Sequence, residues 1–181
     1  MSLRSSSSTY GRVAVILHWL VVLAIFPMVS LGLTMVSMEP GPDKDSFYRT
    51  HAILGLVVGA LTLVRAVWRF TEPTPALPAG ISGQHAWLYK SVHIGFYVVI
   101  ISLALSGMGT LALSGLNAFT VTAEAINREA PPIAGHLILS RIYMALFAAH
   151  LLGVLRYQFG EGNVFARMGL GWLKLGKQNK A

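Results

Sequence analysis

Two histidines, His136 and His150, stand fourteen positions apart in the apolar run GHLILSRIYMALFAAHLLGVLR, Gly135 to Arg156. In a straight α-helix that interval is almost four turns, about 40° short of complete, with a rise of roughly 21 Å. Both imidazoles therefore point the same way, one near each edge of a hydrocarbon layer roughly 30 Å thick. An ionisable side chain inside a membrane helix is costly, and it faces the bundle interior, where it has a function. A single buried imidazole can be a satisfied packing residue; the chemistry open to a set of them at matched depths is iron ligation. Two depths imply two irons, so each histidine is expected to be one axial ligand of a separate haem, with a partner at its own level.

The partners come from the first half of the chain. His18 lies near the start of the first apolar segment and His51 at the start of the second. With alternate helices antiparallel, His18 falls at the level of His150, and His51 at the level of His136. The expected axial pairs are His18/His150 for an inner haem and His51/His136 for an outer one. Gly32, fourteen residues after His18, falls at the outer level. Gly55, one turn after His51, opens a GxxxG with Gly59. Glycine permits the close approach that a flat macrocycle or a neighbouring helix needs, so both haem packing and plain helix contact stand open for Gly32 and Gly55. Arg65 lies fourteen residues after His51, at the inner level. It either pairs with haem propionates or extends its charge to the interface.

Two histidines remain. His93 begins the third helix at the inner level, where it competes as a ligand, contacts a propionate, or lines a quinone or proton path. His85 is expected in a solvated loop. The methionines read as core filler, and Trp19, Trp68, Trp87 and Tyr89 as interfacial anchors.

The elements that must position these groups are four apolar segments, about 13–36, 50–69, 91–114 and 137–157, each near spanning length. The fold class is all-α, an integral membrane four-helix bundle forming a single domain over 1–181, with a basic interfacial tail over 158–181. Of the 181 residues, 54% are hydrophobic and only 12% charged, which is the membrane class. No repeat is evident. The absence of cysteine excludes disulfides, iron–sulfur clusters and covalent haem attachment. The serine-rich start, MSLRSSSSTYGR, leads into an apolar run too long for a signal peptide and lacking a small-residue cleavage site, so it reads as the first spanning helix.

Charge sets the orientation. The N-terminus, the 2–3 connection and the tail together carry ten basic residues: Arg4, Arg12, Arg65, Arg69, Lys90, Arg156, Arg167, Lys174, Lys177 and Lys180. The opposite side holds Lys44, Arg49 and Arg128 against Glu39, Asp43, Asp45, Glu124 and Glu129, a net of −2. By the positive-inside rule both termini are cytoplasmic. The overall charge of +7 is then a consequence of topology, and nucleic acid is excluded as a partner.

The motifs IxxHW on helix 1, HxxxG opening helix 2, HxxxY on helix 3, and His–x13–His followed by YQFGEGNVFARM resemble the bacterial cytochrome b561 family, which groups with the cytochrome b subunits of nickel–iron hydrogenases. The likeness runs from about Tyr10 to Met168. It implies four helices in the bacterial inner membrane, two noncovalent b-type haems, and ligands at His18, His51, His136 and His150. Two departures bear on the subfamily: Gly160–Glu161–Gly162 after helix 4, and Arg156–Tyr157 where the family often carries histidines.

Paired imidazoles leave no open iron position, so the expected activity is electron transfer between a periplasmic-side donor or acceptor and the membrane quinone pool. One specific version is superoxide oxidation at the outer haem with ubiquinone as acceptor. The net negative outer face makes electrostatic steering of an anion only permissive. The alternatives are a membrane-anchor cytochrome b subunit of a hydrogenase- or dehydrogenase-like complex, or, in a different class, a histidine-lined metal transporter. A zinc site would gather its ligands within one tetrahedron, whereas these histidines divide between two depths.

Overall fold

The computed structural model describes residues 2–78, 80–160 and 162–173. Four long helices dominate: α1 Arg12–Ser37, α2 Pro42–Thr71, α3 Gly83–Leu113 and α4 Pro131–Gly160. A short helix α5, Val164–Arg167, and a single 3-10 turn, Gly171–Leu173, follow. Each long helix is long and apolar enough to cross a bilayer. Helix is what such sequences must form in lipid, because only intrahelical bonding satisfies every backbone N–H and C=O without water. Large side chains such as Val36 and Phe70, 74% and 87% exposed, lie on the outside of the bundle, as a lipid-facing band requires.

Three helices begin earlier than their apolar stretches do. α2 starts at Pro42 instead of about 50, α3 at Gly83 instead of about 91, and α4 at Pro131 instead of about 137. The added turns of α2 are polar and those of α3 and α4 are broken by Gly, Pro, Gln and His, so hydropathy passes over them, yet α2 and α4 open on proline, a helix-starting residue. Pro42 sits in the first turn, where its missing N–H costs nothing, and Asp43 and Asp45 complement the helix N-terminus. Gly41, at φ +153, takes a backbone conformation that side chains disfavour and so lets α1 turn into α2 within four residues. The longer α3 also relocates His85. It lies on the first turn of a helix and not in a loop, although its side chain is exposed as expected.

Sequential antiparallel packing sets α1 against α2, α2 against α3, and α3 against α4. The central core is Val21, Ile25, Val58, Val99, Ile100 and Tyr143, supported by Phe96, Leu103, Leu139, Leu146 and Phe147. It lies between the two histidine levels. Tyr143, midway between His136 and His150, stacks with Phe147 at 6.3 Å and meets Phe96 edge-on at 5.9 Å. α2 approaches α3 closely at Gly59, where an added Cβ would sit 2.8 Å from the Ala104 Cβ.

At one end the N-terminal segment, the 2–3 connection and the tail interlock. Glu72, 8% exposed, accepts from the Ser5 N–H at 2.6 Å and pairs with Arg4 at 3.3 Å. The Ala76 N–H donates to the Ser7 carbonyl at 2.8 Å, and Arg167 donates to the Ala76 carbonyl at 2.6 Å. Trp19 Nε1 donates to the Met168 carbonyl at 2.9 Å. Fully buried Gln158 accepts from the Phe165 N–H at 2.9 Å. The expected tail segment is therefore helical in α4 up to Gly160 and then folds back under the bundle; Lys174, Lys177 and Lys180 lie outside the described residues. At the opposite end the 3–4 connection is packed down, with Val121 and Ala123 buried and the Ala123 N–H donating to Asp45 at 2.7 Å.

Candidate haem sites

The outer-level histidines come together from α2 and α4. The rings of His51 and His136 stand 6.2 Å apart, centroid to centroid, with planes 77° apart. Each has one nitrogen already engaged. His51 Nδ1 lies 2.9 Å from the Met28 carbonyl of α1. His136 Nδ1 lies 3.1 Å from the Leu103 carbonyl of α3 and 3.1 Å from Ser106 Oγ, which itself donates to Leu103. A carbonyl can only accept, so Nδ1 carries the proton in both rings and Nε2 keeps its lone pair.

That is the state required of a metal ligand. An imidazole nitrogen bonds a first-row metal at about 2 Å and lies about 1.15 Å from its ring centroid, so two ligands on opposite sides of one metal place their centroids about 6.3 Å apart. The observed 6.2 Å fits. Among the described residues no group of three or more His, Cys, Asp or Glu is placed to hold a metal ion, so the donor set suits a macrocycle that brings its own equatorial ligands and not a tetrahedral zinc.

The inner level is arranged differently. His150 of α4 meets His93 of α3 at 5.4 Å and Phe96 at 5.4 Å, both edge-on. His93 lies 4.3 Å from Tyr89, and its Nδ1 lies 2.7 Å from the Tyr89 carbonyl one turn earlier in its own helix. His18 meets Trp19 edge-on at 5.3 Å and is within electrostatic range of Arg65, His150 and His93. Its Nδ1 is buried and, among the described residues, lacks a hydrogen-bond partner. Arg65 is at this level too, with its guanidinium 5.7 Å from the Tyr97 ring centroid. Among the described residues no carboxylate pairs with Arg65, which leaves that cation able to take an anionic group from a ligand.

The two glycines differ in their surroundings. A Cβ on Gly32 would sit 3.0 Å from His51 Cε1, so Gly32 makes room for an imidazole. A Cβ on Gly55 would meet only the Met28 sulfur, at 4.0 Å. Sequence reading passed over the other half of the outer level, Ser106 and Gly107, where a Cβ would lie 3.5 Å from His136 Cε1. A signal for it existed. His93 and Gly107 on α3 repeat the spacing of His18 and Gly32 on α1, and His51–Arg65 on α2 repeats His136–His150 on α4. The α1–α2 and α3–α4 hairpins thus carry a faint internal repeat, with the outer histidines at equivalent places.

A sequence profile of prokaryotic cytochrome b561 matches residues 9–171. The cytochrome b561 homolog 2 of Escherichia coli (strain K12) is 24% identical over 111 residues, 59% of this chain. That match spans only 57% of the relative's length.

Proposed function

Because this chain belongs to the prokaryotic cytochrome b561 family, membrane cytochromes that bind b-type haem and transfer electrons, we propose that it holds two such haems at two membrane depths and carries electrons between a periplasmic-side donor or acceptor and the quinone pool. The observation that carries the reading is the opposition of His51 and His136 at 6.2 Å, each with Nδ1 engaged and Nε2 available. Bound between paired imidazoles, a haem supplies reversible one-electron exchange at an iron with no vacant position.

The chain's own residues do the rest. His51 and His136 hold the outer group, and His18 and His150 the inner one. His93 lies 5.4 Å from His150, closer than the 6.2 Å between His51 and His136, so His18 is the residue that would hold the inner group with His150. His93 then lines the inner group's edge, as a propionate or quinone contact. Arg65 neutralises propionate charge at the same level, and Gly55 leaves space for a macrocycle face. The aliphatic and aromatic core between the two levels excludes water from the interior. With Arg4, Arg12, Arg65, Arg69, Lys90, Arg156 and Arg167 toward the interlocked end, the chain sits in the bacterial inner membrane as one domain with both termini cytoplasmic.

Superoxide as the outer donor and ubiquinone as the acceptor is the most specific form of this activity. Stopped-flow mixing of the purified holoprotein with superoxide, and separately with ubiquinol, tests it by following the reduced b-type absorbance. Rapid reduction by superoxide with reoxidation by ubiquinone is expected. Reduction by quinol alone would assign the chain to a relay for a protein partner, and silence toward both would refute quinone coupling.

A further inference from the structure

The outer histidines are seated by two copies of one device. On α1 the His51 Nδ1 reaches the Met28 carbonyl while its Cε1 lies over Gly32, four residues later. On α3 the His136 Nδ1 reaches the Leu103 carbonyl while its Cε1 lies over Gly107, again four residues later. The coincidence has a steric cause. A helical side chain leans back over the turn before it, so the residue at i+4 shields the carbonyl at i. Glycine at i+4 removes the shield. The bared carbonyl has a second lone pair, so it can accept a side-chain N–H besides its helical partner.

We propose that Met28–Gly32 and Leu103–Gly107 are paired positioning ledges for the ligands of the outer haem, the second reinforced by Ser106. Each ledge holds its imidazole as the Nδ1–H tautomer, fixes the ring plane and strengthens Nε2 as a donor. Among the described residues the inner level shows no such ledge: His18 Nδ1 has no hydrogen-bond partner there, no carbonyl of another helix is paired with His150, and His93 is satisfied within its own helix. A ligand whose N–H donates to a carbonyl is the more basic one and favours the oxidised metal. The ledges therefore hold the outer potential below the inner one, which makes transfer from the outer to the inner side downhill. The inference rests on the two-haem reading above.

Redox titration and low-spin electron paramagnetic resonance of the holoprotein test it, with the inner signal as internal reference. Gly32→Ala should raise the outer midpoint potential and move the outer g-max, because the new methyl would lie 3.0 Å from the His51 ring and 3.3 Å from its Nδ1. Gly107→Ala would set its methyl at ordinary contact distance, 3.5 Å from the His136 ring, and should leave the outer signals nearly in place. The longer side chain of Gly107→Leu should instead cover the Leu103 carbonyl and raise the potential, and Ser106→Ala should raise it with little change in g-max. The inner signal should stay fixed throughout. Should Gly32→Ala lose the outer haem outright, Gly107→Leu and Ser106→Ala still decide the matter. Full haem content with both outer signals unmoved in Gly107→Leu and Ser106→Ala would overturn the ledges alone. A wild-type protein with no haem between His51 and His136 would overturn the reading beneath them.

Discussion

At the scale of single residues, the two levels pose different problems of charge. The outer imidazoles give their protons to helical carbonyls, whereas the inner level carries the guanidinium of Arg65 among His18, His93 and His150. A fixed positive charge beside a redox centre in a low-dielectric interior stabilises an added electron. Arg65→Gln is therefore expected to lower the inner midpoint potential in a redox titration and leave the outer one in place. His93→Ala should retain both haems by pigment extraction; loss of one would move the inner ligand from His18 to His93. The separation of His136 from His150 and of His51 from Arg65 was legible in the fourteen-residue spacings, because rise per residue is a property of the helix itself, while the levels of His18 and His93 were read from their places near helix starts. What His51 and His136 touch was not legible, since Met28 and Leu103 contribute through backbone oxygen and their side chains say nothing of it.

At the scale of elements, the spanning helices were readable from hydropathy, and their polar first turns were not. PDKDSFYR is helical in α2 and HAWLYK in α3, although both look like connections by composition. The starting signals of α2, Pro42 and the early aspartates, speak of helix initiation and not of lipid. Two element contacts are open to direct test. Gly59→Leu would drive a side chain into Ala104 at the α2–α3 contact, so the solubilised protein should lose about 1–3 kcal/mol of stability, read as a lower thermal midpoint. Trp19→Phe removes the bond to the Met168 carbonyl at a cost of about 1 kcal/mol. The α5 segment should then be cut sooner in limited proteolysis, with α1 to α4 resisting as before.

At the scale of the whole molecule, the fold is a pair of helical hairpins joined across the α2–α3 contact, with the interlocked polar cap at one end and the packed 3–4 connection at the other. The cap draws on segments far apart in sequence, such as Ser5 with Glu72 and Arg167 with Ala76, so it could not be read from any one of them. Its concentration of basic residues could. Reporter fusions at residue 181 and within the 3–4 connection should report cytoplasm and periplasm respectively; the reverse pattern would exchange the two sides and with them the donor. Across the layer between the levels, each 100 mV of membrane potential adds or removes about 2.3 kcal/mol per full charge crossing. On the two-haem proposal, the direction of transfer would depend on the field as well as on the ligands.

The most direct measurement is haem stoichiometry, by pyridine haemochromogen assay, in the wild type and in His18→Ala, His51→Ala, His136→Ala and His150→Ala. The wild type should hold two haems per chain and each variant one. His51→Ala and His136→Ala should lose the same spectral component, and His18→Ala and His150→Ala the other. A full complement of pigment with an unchanged spectrum in any one of the four would contradict the account.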